Sequence, residues 1–185
     1  MRRALLGLAI AGGVLAQTAG AQTHGHAGHG ETPGAPVGSL AHLKTLKGRA
    51  FDVAWTGMMI AHHQMAIDMA EAELKGGRDA RVKAAARQVI AAQRREIDQM
   101  KSWQKGWGTA VGSGMVMDFV GPGAGQSWDR WFLTGMIPHH QGAVGMAGLV
   151  PTRTQNPAVR KLAQEIIESQ SAEINQYRAW LKVVK

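Results

Sequence analysis

Two adjacent pairs of histidines, each with methionines nearby, are the residues of this sequence best suited to bind a metal ion. Imidazole and thioether together favour copper, because thioether suits Cu(I) and imidazole accepts either oxidation state. The 185 residues include no cysteine, which excludes thiolate metal sites, iron–sulfur clusters and thiol catalysis. The candidate ligands are Met59, His62, His63, Met69, Met136, His139, His140 and Met146.

The histidine pairs belong to an internal repeat. When the sequence is shifted by 77 positions, residues 51–103 align with residues 128–180 without a gap, and 17 of the 53 aligned pairs are identical. Self-similarity at a fixed spacing indicates duplication of one structural unit. We assign the two repeat units to residues 51–105 and 128–184.

Each unit has the pattern of two helices. Apolar residues recur in alternating steps of three and four, and no segment keeps the period of two that a half-buried strand requires. Asp79 and Asn156 are placed to cap the second helix of each unit. The sequence therefore predicts an all-α four-helix bundle of two duplicated helical hairpins, within a domain spanning 40–185. The predicted helices cover 51–75, 79–105, 128–150 and 156–184, with a short helix near 40–49 and a glycine-rich crossover at 106–126.

Polar side chains fall on the apolar stripes of these helices. A buried carboxylate needs a proton, a cation or several donors, because an isolated charge in a core costs several kcal/mol, of order 3–5. One interpretation is that these residues orient the imidazoles that bind the metal. The alternative is a closed Glu–His–Gln network that only fixes helix register, with methionine as core filler. The residues concerned are Asp52, Asp129, Gln93, Glu96, Gln170 and Glu173.

Adjacent histidines on one straight helix cannot point in the same direction, because successive side chains are turned by about 100°. One division sends His63, with Met59, towards the bundle interior and His62, with Met69, towards a neighbouring helix or the rim. The same division applies to His140 with Met136 and to His139 with Met146. Pro138 is expected to kink the third helix. Gly135 and Gly142 favour either close helix approach or local mobility near the second pair.

The amino-terminal region has the features of an export signal followed by a leader. Two arginines, an apolar run too short to span a bilayer and an Ala-Gly-Ala site predict a cleaved signal peptide over 1–21. Residues 22–39 are rich in Gly, Pro and His and are expected to be disordered. The histidines of this leader are His24, His26 and His29. They either form a Cu(II) or Ni(II) site near the new amino terminus or belong to a flexible tail.

The repeated strings GMMIAHHQMAIDMA and GMIPHHQGAVGMA, each followed by Q-x-x-E-I and then a Trp, resemble the domain of unknown function 305 (DUF305) family. The resemblance covers about residues 40–185. It implies a ferritin-like four-helix bundle and an exported copper-binding protein linked to copper tolerance, with the Met and His residues named above as ligands. Tyr177 stands where the first unit has Met100, so a Met ligand from the fourth helix is in doubt.

The sequence leaves three candidate functions. The first is a periplasmic protein that sequesters or carries Cu(I) or Cu(II) without covalent chemistry. The second is a di-metal oxidase, which would need Glu-x-x-His pairs that this sequence lacks. The third is a structural or interaction bundle without metal. No phosphate loop, nucleophile elbow or HExxH motif is present, so no catalytic centre is identified.

Copper ions are the expected partners. The net charge of +8 is spread along helices without interleaved aromatic residues, which argues against nucleic acid. No stable membrane anchor is expected, and a second copy of the chain or a copper-delivery protein is left open as a partner.

Overall fold

The computed structural model describes residues 39–112 and 121–184, which form six helices and no strand. The four long helices confirm the all-α bundle of two hairpins. Their bounds are α1 Leu40–Leu43, α2 Gly48–Gly76, α3 Ala80–Gly106, α4 Trp128–Ala147, α5 Val150–Arg153 and α6 Pro157–Trp180.

The helix ends differ from the predicted ends by a few residues. The helix expected near 40–49 is only α1, because Gly48 starts α2 with a φ of +55°, a left-handed conformation that favours glycine. At the other end of the domain, α4 stops at Ala147 and a separate turn of helix, α5, follows. The predicted caps are confirmed, since Asp79 accepts from Arg81 N and Asn156 accepts from Ala158 N.

Each hairpin packs its two helices together, and the hairpins meet through α2 and α4. Trp55, near the start of α2, donates from Nε1 to the carbonyl of Met146 near the end of α4, at 3.1 Å. Met69, near the end of α2, faces Gly135 in the first half of α4. These two contacts show that α2 and α4 run antiparallel. The histidine pairs therefore lie at the same level of the bundle, in the middle of the two helices.

Two apolar clusters fill the bundle on either side of the histidine level. One gathers around Phe51, Trp55 and Ile60, and the other around Phe132 and Tyr177. Pro138 lies inside α4, which continues as α-helix to Ala147. Across the described ranges, no helix combines the length and apolar character needed to cross a bilayer.

A buried carboxyl pair lies where the hairpin turn of α2 and α3 meets α4. Asp129 accepts hydrogen bonds from the backbone N–H groups of Arg78 and Asp79, at 3.1 and 2.8 Å. Glu73 is fully buried beside it, and burial followed by the charge of Asp129 raises its pKa to about 8. The aligned residue of the second unit is Val150, which is also fully buried. The repeated fold therefore accepts an apolar side chain at this position.

We expect Glu73 to make the stability of the protein depend on pH. Between the ordinary pKa of 4.5 and about 8, the folded state holds a proton that the unfolded chain has released. The free energy of unfolding therefore falls as pH rises through this window and is insensitive to Glu73 below it. Thermal denaturation should show a melting temperature lower by roughly 5 °C at about pH 9 than at about pH 6.

Glu73→Gln should remove most of this difference, because an amide cannot titrate. Glu71→Gln is the matched control, since Glu71 is exposed and pairs with Arg94 on the surface. A wild-type melting temperature that is the same at both pH values would contradict the assignment.

Candidate metal centre

The second histidine of each pair is fully buried and contacts a glutamate from the neighbouring helix. His63 Nε2 lies 2.6 Å from Glu96 Oε2, and His140 Nε2 lies 2.7 Å from Glu173 Oε2. The His63 contact has hydrogen-bond geometry, whereas the His140 contact is equally short but poorly aligned. The two contacts are related by the repeat, so each hairpin holds one inner imidazole with one carboxylate.

These contacts fix which nitrogen of each inner histidine is available. A carboxylate only accepts, so Nε2 of His63 donates its hydrogen to Glu96, and in the neutral form of the ring Nδ1 carries the lone pair. The short contact between His140 and Glu173 favours the same arrangement. Both Nδ1 atoms, of His63 and His140, are buried and without a hydrogen-bond partner among the described residues. A histidine whose N–H is held by a carboxylate is the usual arrangement around a protein-bound metal.

The first histidine of each pair lies at the junction of α2 and α4. The rings of His62 and His139 have centroids 3.8 Å apart. Burial, followed by the neighbouring histidines, lowers the pKa of His62 to about 2 and that of His139 to about 3. The nearby carbonyl of His62 offsets part of this change for His139. Both rings are therefore neutral at physiological pH, and each keeps a nitrogen lone pair.

Most of these nitrogens have no protein acceptor or donor. His62 Nδ1 and both ring nitrogens of His139 are buried, and within the described part of the chain the approach of His139 to the carbonyl of His62 is too poorly aligned to form a hydrogen bond. Leaving one buried polar group unsatisfied costs about 1–3 kcal/mol. The cluster therefore has several nitrogen atoms that a bound ion could satisfy.

The four predicted thioethers are all buried, but they are shared between the hairpins. Met59 lies in the same apolar cluster as Met146, and Met69 lies with Met136. Because α2 and α4 run antiparallel, each cluster receives one methionine from each hairpin. The sequence alone predicts that each methionine lies with a histidine of its own unit. In the structure, one methionine from each unit lies on either side of the histidine level.

The six polar residues predicted to support the imidazoles divide into three pairs. Glu96 and Glu173 contact the inner histidines, as described above. Gln93 and Gln170 lie about one turn away, with buried Oε1 atoms that have no partner in the described residues. The structure does not bring Asp52 and Asp129 to the histidines, because each lies eleven residues, or about 16 Å of helix, before the inner histidine. Asp129 binds the α2–α3 turn instead, and Asp52 accepts from Asn156 Nδ2 at 3.3 Å.

Two neighbours of the histidines were not assigned a site role from the sequence. The ring of Tyr177 lies 5.8 Å from that of His140, and burial raises the pKa of its hydroxyl above the ordinary value. A Cβ on Gly142 would lie 3.0 Å from His62 Nε2, so the close helix approach expected there is confirmed. The repeat could have identified Gly142, because a glycine stands there where the first unit has the large side chain of Met65.

The chemistry of the donor set fits a soft ion better than a hard one. No three His, Asp or Glu side chains of residues 39–112 and 121–184 converge closely enough to hold a metal. The buried methionines on either side of the histidine level add thioether sulfur to the imidazoles, and these two donor types together favour Cu(I). The leader residues His24, His26 and His29, and the predicted signal peptide, lie outside the described residues.

Comparison with known proteins gives one consistent family match. The sequence matches the family described as domain of unknown function (DUF305) over residues 9–104 and 113–184. The structure is similar to CopM in its Cu(I)-bound form, with 43% identity, a TM-score of 0.66 and coverage of 71% of this chain and 95% of CopM. CopM in its apo form matches with 43% identity, a TM-score of 0.64 and coverage of 71% and 96%.

Other relatives are more distant or partial. A DUF305 fragment from Deinococcus radiodurans has 26% identity and a TM-score of 0.64, covering 74% of this chain and 98% of the fragment. A 53-residue segment is 43% identical to the uncharacterized protein L153 of Acanthamoeba polyphaga mimivirus, covering 29% of this chain and 35% of that protein. The match therefore spans about a third of the length of that relative.

The contact between Gly142 and His62 predicts different effects for two glycines of α4. Gly145→Ala adds a methyl group in open space, and removing a helix glycine should raise the free energy of unfolding by about 0.5–1 kcal/mol. Gly142→Ala should gain less than this or lose stability, because its methyl group must displace an imidazole that is packed against His139. Chemical denaturation of both variants measures the difference. Equal stabilisation would contradict the close packing of His62 on α4.

Proposed function

Since this chain belongs to the DUF305 family, we propose that it binds copper ions inside the bundle and sequesters or carries them. The observation that carries the proposal is the cluster of buried imidazole nitrogens without partners, lying between two pairs of buried thioethers. The similarity to CopM, whose Cu(I)- and Cu(II)-bound forms are known, supports the choice of metal. The proposed ligands are drawn from Met59, His62, His63, Met69, Met136, His139, His140 and Met146.

The proposed chemistry is coordination alone. Cu(I) would accept electron density from neutral imidazole and thioether, and neither ligand has to lose a proton at physiological pH. Glu96 and Glu173 hold the inner imidazoles by Nε2, which turns Nδ1 towards the ion and increases its basicity. Burial among apolar residues keeps water away from the bound ion. Copper is the cargo of this protein in our proposal, and its role is homeostasis or resistance in the periplasm.

The unpartnered ring nitrogens argue against a purely structural bundle, and the small number of carboxylates near the histidines argues against a di-metal oxidase. A polar network that served only to fix register would satisfy its buried members, yet His62 and His139 retain unsatisfied ring nitrogens. A ferritin-like di-metal oxidase would need several carboxylates around one centre. Within the described residues each inner histidine contacts a single glutamate, and no third acid or histidine joins them.

The ligand assignment predicts the effect of a fourfold core variant. Met59→Leu and Met136→Leu conserve volume, and His63→Gln and His140→Gln keep an N–H donor for the glutamates. We expect these changes together to lower the amount of copper bound, while helicity by circular dichroism stays close to that of the wild type. Anaerobic Cu(I) titration measures the stoichiometry. The background for both proteins should carry alanine at His24, His26 and His29, so that only the bundle is measured.

The control is His42→Gln, which changes a histidine of α1 outside the histidine level. X-ray absorption on the loaded bundle should show both sulfur and nitrogen neighbours around copper. Unchanged stoichiometry in the fourfold variant, or a copper ion with no sulfur neighbour, would reject these ligands.

A further inference from the structure

A groove runs between α3 and α6, the outer helices of the two hairpins. Its volume is about 420 Å³, and both helices contribute three aligned positions of the repeat to its walls, among other residues that are not paired in this way. Ala92 of α3 is aligned with Ser169 of α6, and both line the groove. The main helix contacts of α3 and α6 are made with α2 and α4, which leaves the space between the two outer helices open.

The groove leads from solvent to the inner histidines. Glu96 and Glu173 line it, and their side chains are 19% and 26% exposed, whereas the imidazoles that they contact are fully buried. Each carboxylate therefore touches the groove on one side and a histidine on the other. A cation in the groove would meet the carboxylates first and the imidazoles next.

Two buried amides also face this space without partners. Gln93 and Gln170 line the groove and are each 3% exposed, and the Oε1 atom of each has no hydrogen-bond partner in the described residues. A buried acceptor without a donor costs free energy that water or a cation would recover. Four oxygen-bearing side chains related by the repeat thus line one passage.

The charge of the groove is opposite to that of the whole chain. Its lining carries three glutamates, Glu96, Glu165 and Glu173, and one arginine, Arg95. The chain as a whole has a net charge of +8. An acidic cleft in a basic protein concentrates cations locally.

The lining is suited to passing an ion onward and not to retaining it. In the described ranges no three acidic or histidine side chains converge closely enough to hold a metal ion, so the carboxylates of the groove do not by themselves form a closed metal site. Conduction requires binding that is favourable enough for entry and weak enough for release. The unpartnered Nδ1 atoms and the thioethers lie beyond the carboxylates, where soft ions bind more strongly.

We propose that this groove is the route by which a metal cation reaches the interior histidines, with Glu96 and Glu173 as transient oxygen ligands. The inference rests on the proposed function, because it requires an ion bound at the histidine level. It adds a path and a direction of entry to that site.

Blocking the groove should slow metal uptake without changing how much metal is bound. The test variant is Ala92→Phe with Ser169→Phe, which fills the groove from both walls. The control is Ala91→Phe with Ala172→Phe, which places the same rings at exposed positions of the same helices. Stopped-flow mixing with Ag⁺, a redox-inert probe for Cu(I), can be followed by quenching of tryptophan fluorescence, since Trp55 donates to the backbone carbonyl of Met146, one of the proposed ligands.

We expect the blocked variant to take up Ag⁺ roughly tenfold more slowly or worse, because the two rings would keep the ion out of the charged cleft. A charged cleft raises on-rates by factors of about 10–1,000. Its final stoichiometry should equal that of the wild type, and the control should match the wild type in both. Glu165→Gln should slow uptake to a smaller extent, whereas Glu168→Gln, which changes an exposed carboxylate outside the groove lining, should not. If the double Phe variant does not fold, Ser169→Leu alone should show a smaller reduction in rate.

The outcomes separate the route from the function. Normal stoichiometry with an unchanged uptake rate in every groove variant would overturn the route. That result would favour entry along the α2–α4 junction, where His62 and His139 are partly exposed. A wild-type bundle that binds no Ag⁺ would overturn the proposed function itself.

Discussion

The contact that most constrains this bundle is the close approach of two neutral imidazoles, tilted by 39° to one another, where α2 meets α4. Burial, followed by the charges of the neighbouring histidines, lowers the pKa of both His62 and His139, so the two rings, 3.8 Å apart, are uncharged at physiological pH. Within the described residues neither ring forms an ion pair with a carboxylate, and the glycine on α4 leaves room for His62. The two histidines of each pair therefore differ, since the inner ones have a glutamate each and the outer ones have none.

The repeat gives the site its approximate symmetry, and the differences between units show which positions are free to vary. His63 with Glu96 and His140 with Glu173 are equivalent in residue type, partner and distance. Other aligned positions differ in chemistry. Val150 of the second unit occupies the place of Glu73, and Tyr177 occupies the place of Met100. The shared residues include the histidines and their glutamates, whereas differing residues occur both beside the histidines, as at Tyr177, and at the end of a hairpin, as at Glu73.

Much of the architecture followed from periodicity, and most of the site did not. The spacing of apolar residues was sufficient for the four long helices, for the buried position of Gln93 and for the partly buried position of Glu96, because a helix fixes which residues share a face. The sharing of Met59 with Met146 required knowing that the hairpins meet antiparallel, which no local pattern encodes. Asp52 and Asp129 were misplaced for a related reason. They lie on the same face of the helix as the inner histidines, but eleven residues before them. The apolar stripe shows which residues share a face and does not show which residues of another helix lie opposite each of them.

Each side of the histidine level holds one methionine from each hairpin. Neither repeat unit therefore contains all the side chains of the cluster. A single hairpin carries one methionine for each side of the histidine level, one inner imidazole and one outer imidazole. A peptide of that length would have to associate with a second copy about a two-fold axis to reproduce the cluster. Covalent fusion removes the concentration dependence of such an assembly and frees each half to diverge, so that the two halves of the histidine cluster need no longer have identical surroundings.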